Sequence, residues 1–498
     1  MKLKTLLHAI GETSSLETSL PKHLGEIEVS ALVNDTRHIQ SGCVFLAEKG
    51  LTSHALDYLS EENCRKTAAV VYQPDYDIHR FGDAVDRFIA VNNLNCFINL
   101  LSQRFFAPVF AKPLIGITGT NGKTSISQFI AQLADYGVIG TMGYGRLNAL
   151  TPLSHTTPDA LSVSAILKEL SLQVAGVAME VSSHALALHR VDALDFKIAV
   201  FTNLTQDHLD FHDSMDDYFA SKAKLFDYSS VETVVINVDD VYGRQLAQRC
   251  QNKAKRVLAF GQKNAVCHFD EYVQIQSVQL SSEGLQISLF VHIAERPSHY
   301  AVFAPIWGEF NAYNIVAALL ALYAAGESLP VLLMKVAELR GVLGRMDPIA
   351  LGNHRTAIID YAHTPGALAS TLKGLRQQVK GQIYTVFGCG GDRDRTKRPL
   401  MAQAANQFSD FVIVTDDNPR TEQSEVIIAD ILAADVDLNR FKTIASRRQA
   451  IRFGLSLLAQ DDVLLIAGKG HEDYQIIGSE KTHFSDYEVV QEWLHESV

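Results

Sequence analysis

The sequence predicts an α/β protein of three domains: a small N-terminal α/β domain, a central parallel-sheet domain carrying a phosphate loop (P-loop), and a C-terminal Rossmann-like α/β domain. Three observations carry this reading. Short apolar runs of strand type alternate with helix-type segments along nearly the whole chain, as βαβ units require. The character of the runs changes near residues 110 and 350. A chain of 498 residues is also long enough for roughly two to four separately packed cores.

Up to about residue 110, the runs CVFLA, AAVVY and RFIAV alternate with polar turns. The opening MKLKTLLHAIGETSS has a short apolar patch, turns acidic and lacks a small-residue cleavage site, so it predicts a structural helix. From 111 to 345 the strand-type runs are LIGITG, VAGVAME, KIAVFTN and TVVINVD. From 346 to 498 a second set follows: RTAIID, QIYTVFG, FVIVTD and DVLLIAG. Each of these four leads into a loop rich in Gly and charge: DYAHTPG, GCGGDRDRTKRP, DDNPRTE and GKGHED. Open α/β sheets bind ligands beyond the carboxyl ends of their strands, so four such loops predict a binding rim.

Composition narrows the function classes. Hydrophobic content of 47% and charged content of 20% are those of a globular enzyme. The net charge of −12 gives no electrostatic reason for nonspecific nucleic-acid binding. The longest apolar stretch, Ile315 to Gly326, is too short to span a bilayer, so no membrane insertion is expected. Six cysteines without CxxC spacing argue against thiolate metal sites and disulfides and fit a reducing cytosol, giving a cytoplasmic expectation. Cys389, in a Gly-rich loop, reads as a packing residue. A monomer is expected.

The strongest local signal is GITGTNGKTS, Gly116 to Ser125, between a strand-type and a helix-type run. Glycines let backbone N–H groups approach phosphate oxygens, and the following helix start adds a favourable dipole. In such a loop Lys123 reaches the β and γ phosphates and the Thr124 hydroxyl binds Mg²⁺. The spacing departs from GxxxxGK[ST], because Ile117 stands five positions before Gly122. Two more strand ends supply metal candidates: Glu180 closing VAGVAME, and His208 in LTQDHLDFH after KIAVFTN.

The elements TGTNGKTS, MEVSSHAL, FTNLTQDHLDFH, GEFNAYN, GRMD, DYAHTP, GCGGDRD and DNPR, in this order, resemble the Mur ligases over about residues 30 to 475. The last three resemble the family's diaminopimelate-adding branch. The resemblance implies ATP-dependent amide-bond formation between a UDP-N-acetylmuramoyl-dipeptide and meso-diaminopimelate, through an acyl phosphate. It assigns Gly119, Thr120, Asn121, Gly122, Lys123 and Thr124 to the ATP phosphates, with Asn311, Asn314, Arg345 and Asp360 as further nucleotide contacts. Thr156, Thr157, Ser182 and Arg190 resemble contacts to the UDP-muramoyl-peptide. In the N-terminal domain Asn34 and Thr36 of VNDTR stand where the family has DSR, and GLTSHALDY lacks the family's DG pair.

Thr124, Glu180, His208 and a carbamylated Lys222 form the implied Mg²⁺ set, and Lys123, Lys222 and His208 the implied catalytic set. Lys222 aligns with the family lysine that adds CO₂; that reaction needs the neutral amine, disfavoured at a free pKa of about 10.4. Arg393, Asp417, Asn418, Pro419, Arg420, Gly468 and Glu472 resemble the diaminopimelate pocket. Arg420 can hold a distal carboxylate as a two-pronged pair while Glu472 accepts from the distal ammonium. An L-lysine-adding sibling and a folylpolyglutamate synthetase are the alternatives within this class. From another class, a P-loop switch is disfavoured, since the chain has no NKxD motif and such a switch has no need of a third domain with four loops.

Overall fold

The computed structural model describes residues 1–13, 22–50, 53–107, 110–281, 283–293 and 297–496. Of GLTSHALDY, Leu51 and Thr52 lie outside the described residues, as do Ser14 and Ser15 of the opening segment. The opening segment forms a helix over Leu3–Thr13, as its pattern predicts.

The N-terminal sheet has four parallel strands in sequence order: Leu32–Val33, Val44–Ala47, Ala69–Tyr72 and Phe88–Ala90. Its two inner strands are buried on both faces, which is why they read as continuous apolar runs rather than alternating ones. One face packs on the helices Leu3–Thr13 and Leu94–Phe106, and the same cluster takes in Ala160 and Leu161. Those two residues begin a helix of the central region, Ala160–Leu170, so the first sheet is seated on the second through an apolar contact.

The central sheet has eleven strands. Its parallel heart runs in the spatial order Arg256–Gly261, Thr233–Asn237, Ile198–Phe201, Leu114–Thr118, Gly176–Glu180, Tyr136–Gly140. The helices Lys123–Leu133 and Phe310–Ala324 cover one face; Ala160–Leu170, Met215–Asp227 and Val241–Asn252 cover the other. Leu114–Thr118 lies between strands that follow it in the chain, so the loop leaving it emerges at a topological switch point.

Two parts of this sheet differ from the sequence pattern. SISQFIAQLADYG reads as one helical run, but the helix ends at Leu133 and Tyr136 opens a strand, because Ala134 turns the backbone extended and Tyr136 is buried in the sheet. Beyond the parallel strands the sheet continues through the antiparallel strands Gly284–His292 and Ser298–Ala304, joined by Glu271–Ser281. These alternate buried and exposed residues, so one face is wet and the signal is weaker than in the core strands.

The C-terminal sheet has six strands, ordered Asp347–Ala350, Thr356–Asp360, Val463–Ala467, Ile383–Phe387, Phe411–Val414, Phe441–Thr443, and only the first is antiparallel. The four strands read from the sequence are its four inner strands. All four Gly- and charge-rich loops therefore leave from the same edge of the sheet.

Candidate active site

The loop after Leu114–Thr118 is folded by its glycines. Gly119 and Gly122 have φ of +141° and +93°, where a side chain would be strained. A Cβ on Gly122 would also lie 2.6 Å from Asn314 Oδ1. The helix Lys123–Leu133 starts at Gly122 with no side-chain cap, which leaves its first-turn N–H groups free to meet an anion. The loop is tied down from the neighbouring strand end: Thr120 N donates to Asn203 O (2.8 Å), Asn121 N to Asn203 Oδ1 (3.0 Å), and Thr202 Oγ1 to Asn121 O (2.6 Å).

Two lysines converge on this loop. Lys123 Nζ donates to Gly119 O and Thr120 O, each at 2.9 Å. Lys222, only 1% exposed, sends its Nζ to the same Gly119 O at 2.9 Å and sits over the Tyr218 ring. Burial, then the neighbouring Lys123 charge, pushes the Lys222 ammonium well below lysine's ordinary value. Burial lowers Lys123 too, and the Glu180 charge opposes that shift.

Glu180, 1% exposed, accepts from Thr141 N, Thr141 Oγ1 and Thr124 Oγ1, each at 3.0 Å. Gly140 makes room for this carboxylate, since a Cβ there would sit 2.6 Å from Glu180 Cδ. His208 takes a left-handed φ of +55° at the cleft; desolvation, opposed by the Asp207 carboxylate 3.4 Å away, holds its imidazole below the ordinary histidine range. Arg345 comes from the segment linking the two sheets. Its Nη2 donates to Thr124 Oγ1 (3.2 Å), its guanidinium lies over Tyr361, and its buried Nε has no partner. Asp360 accepts from Met346 N and Thr371 Oγ1, both at 2.9 Å, and burial raises its carboxyl.

These groups line one cavity of about 510 Å³ between the central and C-terminal sheets. It brings together Thr120 to Thr124, Thr156, Glu180, His208, Asn314, Arg345 and Asp360 from the residues singled out in the sequence. Asn311 stands behind it, donating to Trp307 O (2.7 Å) and accepting from Asn314 Nδ2 (2.9 Å). Lys222 and Gly119 form the back of the loop rather than the cavity wall.

The remaining predicted residues fall into two outlying groups. On the N-terminal side Thr157 Oγ1 donates to Glu180 O (2.9 Å), Ser182 N to Thr157 Oγ1 (3.0 Å), and Arg190 to Thr157 O (3.1 Å). Asn34 Nδ2 reaches Asp159 Oδ1 at 3.0 Å, while Thr36 opens a 3₁₀ turn capped by Asp35. On the C-terminal rim Asn418 Nδ2 donates to Glu472 Oε2 (3.3 Å). Arg420, at φ +52°, donates to Gly391 O (2.8 Å), so its loop is folded back on the GCGG loop. Arg393 leaves that group and pairs with Asp210 across the cleft (3.1 Å).

Sequence reasoning missed three features. Asp207, beside His208, is buried and faces His363 (3.6 Å) and Lys397 (4.0 Å) of the C-terminal loops. Gln206 donates to Asp394 Oδ2 (3.3 Å) and Thr396 Oγ1 (3.1 Å). Lys469 is fully buried among Asp417, Asn418 and Glu472. For Lys469 the available signal was a lysine three residues before Glu472 in the Gly-rich loop GKGHED, whereas the partners of Gln206 and Asp207 in the C-terminal loops lie on distant segments.

A phosphate loop opposed across one cleft by the strand-end loops of a second sheet is the arrangement of an enzyme that couples ATP to a second substrate. The Mur ligase middle domain matches residues 117–322, and the Mur ligase glutamate ligase domain matches residues 344–470. The chain belongs to the Mur ligase family of ATP-dependent ligases. It is 40% identical to the UDP-N-acetylmuramoyl-L-alanyl-D-glutamate–2,6-diaminopimelate ligase of Alkalilimnicola ehrlichii, covering 94% of this chain and 95% of that one. The ligase of the same name from Pseudomonas aeruginosa is 39% identical over 96% of this chain and 98% of its own. A solved structure of a ligase of that name aligns with a TM-score of 0.63 at 33% identity, covering 96% of this chain and 99% of that one.

Proposed function

We propose that the protein joins meso-2,6-diaminopimelate to UDP-N-acetylmuramoyl-L-alanyl-D-glutamate with ATP, releasing ADP and phosphate, in cytoplasmic synthesis of peptidoglycan precursors. The observation that carries the reading is the near-full-length identity to relatives of that name, joined to a cavity with a phosphate loop on one wall and the C-terminal sheet on the other. Residues 1–110 would bind the UDP end, 111–345 ATP, and 346–498 the amino acid. Among the described residues no helix is long and apolar enough to cross a membrane. We read the protein as a monomer.

In this reading a substrate carboxylate oxygen attacks the γ-phosphorus, the bond to the bridging oxygen breaks, and ADP leaves with an acyl phosphate formed. The neutral amine of the amino acid then attacks the acyl carbon, its nitrogen gives up one proton, and inorganic phosphate departs with the C–O electron pair and can carry that proton away. Lys123, Arg345 with its unpartnered Nε, and the free helix N–H groups face the phosphates. The contacts of Gln206, Asp207 and Asp210 to the C-terminal loops tie the two walls of the cleft together, and closure about them would protect an acyl phosphate from water.

Among the described residues no cluster of three His, Cys, Asp or Glu side chains could hold a metal unaided. One hydroxyl, one carboxylate and a neutral imidazole still fit Mg²⁺, which takes most of its shell from water and phosphate oxygens. Thr124, Glu180 and His208 would hold it, and it would supply neutralisation of phosphate charge. A carbamate on Lys222 would add a further anionic ligand; the burial that disfavours its ammonium supports that modification. Intact mass or a structure that preserves the modification should show carbamate carbon on Lys222; an active, metal-loaded site with a bare ammonium there refutes it.

The test of the reaction is ADP release. It should require the UDP-muramoyl-dipeptide and the amino acid together, with a product heavier by one diaminopimelate residue. ATP turnover that ignores either substrate, or that needs a pterin substrate instead, would overturn the reading.

A further inference from the structure

Lys469 is a fully buried ammonium in the loop after Val463–Ala467. Its Nζ lies 3.3 Å from Glu472 Oε2, 3.3 Å from Asn418 Oδ1 and 3.5 Å from Asp417 Oδ1, and it sits over the Tyr474 ring. Two of the three acceptors are fixed in turn. Asn418 Oδ1 also accepts from Ile476 N (3.0 Å), its Nδ2 donates to Glu472 Oε2, and Tyr361 OH approaches Glu472 Oε1 (3.4 Å). Lys469 therefore joins two strand-end loops, through groups that are themselves 13% and 15% exposed at Asp417 and Glu472.

Each charge around it has a partner. Asp417 and Glu472 face Lys469 within the cluster, and Arg420 lies on the adjoining turn. Lys481 stands over Tyr474 but is exposed and screened by solvent. The nearby Arg447 is fully committed to Asp486 and contributes no net charge. Asp417 and Glu472 both pair with Lys469, Asp416 turns away to accept from Ser424 Oγ (2.7 Å), and Arg420 gives one arm to Gly391 O. A buried charge is tolerated only when it is paired, so an incoming group should bring no net charge of its own.

We propose that Lys469 is a specificity-determining and positioning residue: by occupying Asp417 and Glu472 it rejects amino acids whose far end is a lone ammonium. The inference rests on the reading of this rim as the amino-acid pocket. The far end of meso-diaminopimelate carries one ammonium and one carboxylate and is neutral, whereas that of L-lysine is a bare cation. Lys469 is the repulsive element against the second, while for the first it holds Asp417, Asn418 and Glu472 in place, so that one residue both positions the accepted amino acid and rejects its analogue. Without it, Asp417 and Glu472 would be left with a surplus negative charge that a lone ammonium satisfies.

The experiment compares kcat/KM for meso-diaminopimelate and L-lysine in the wild type, Lys469→Met, Lys469→Gln and Lys469→Arg, with ATP binding as the fold control. In the neutral variants the value for meso-diaminopimelate should fall by about tenfold or more while that for L-lysine rises in absolute terms, because like charges brought together or relieved dominate such selectivity. Lys469→Arg should keep the wild-type ratio within about threefold, since the charge is retained. A merely structural lysine would lower both values in proportion, and that outcome overturns the proposal. Loss of ATP binding in both neutral variants also overturns it, by assigning Lys469 to folding alone. Equal use of both amino acids by the wild type would remove the underlying reading of the pocket, and is seen before any variant is made.

Discussion

The two walls of the cleft are built by different means. At the phosphate end the central device is six consecutive residues, Gly119 to Thr124, on which Glu180 and Arg345 converge, and the backbone does much of the work: two glycines at positive φ and an uncapped helix start present N–H groups. At the amino-acid end no single segment suffices. Asp417, Asn418, Arg420, Lys469 and Glu472 lie on two loops, and the GCGG loop supplies the carbonyl that receives Arg420. A phosphate is the same in every ATP, so a compact local device suffices. An amino acid must be told from its analogues, and that takes a network in which charges from separate loops fix one another.

Substitutions at each wall can sharpen or break that contrast. The largest effect is expected at Lys123. Lys123→Ala should lower kcat about 10²–10³-fold with an unchanged melting profile, the cost of one transition-state charge contact. Retention of more than about a tenth of the wild-type rate would remove the phosphate role. Next comes Arg420→Lys, which trades a planar fork for a point charge. It should cost about 1.5–3 kcal/mol in kcat/KM for meso-diaminopimelate and leave ATP affinity alone. An unchanged preference over L-lysine would show that Arg420 serves only the turn that its bond to Gly391 closes.

Gly122→Ala tests the backbone device itself. With φ at +93° and Asn314 Oδ1 2.6 Å from the added Cβ, it should weaken ATP binding and stability by about 1–3 kcal/mol. Calorimetry of ATP binding checks this, and wild-type affinity would mean that the loop reshapes freely. The smallest effect belongs to Gln206→Ala at the seam between the walls. Its two hydrogen bonds to Asp394 and Thr396 are partly exposed, so the melting temperature should shift by the equivalent of about 0.5 kcal/mol or less. A large loss of kcat there would mean that closure hangs on this one contact.

The same contrast explains what could be read from the sequence. GITGTNGKTS announced its loop because strand, glycines, lysine and helix follow one another along the chain. Four of the six parallel strands of the central sheet and the four inner strands of the C-terminal sheet were visible because burial on two faces makes them continuously apolar. The antiparallel extension 271–304 was not, because its half-exposed strands carry a diluted pattern. The break at Ala134 was hidden because Tyr136 suits a helix period as well as a sheet. Asp207 and Gln206 were missed for another reason: their partners His363, Lys397, Asp394 and Thr396 lie on distant segments, as do Asp417 and Asn418, the acceptors that join Lys469 to a second loop. Resemblance to a family could name the individual members of the rim, but not the balance of charge among them.

The central claim is that the cleft couples ATP to one particular amino acid. The most direct test is ADP release by the wild-type protein with the UDP-muramoyl-dipeptide and a panel containing meso-diaminopimelate, L-lysine, L-ornithine and no amino acid. The account predicts turnover with meso-diaminopimelate and a kcat/KM for L-lysine lower by roughly 10⁴ or more, as sites that bury unmatched polar groups discriminate. Comparable rates with L-lysine, or undiminished ADP release with no amino acid at all, would contradict it.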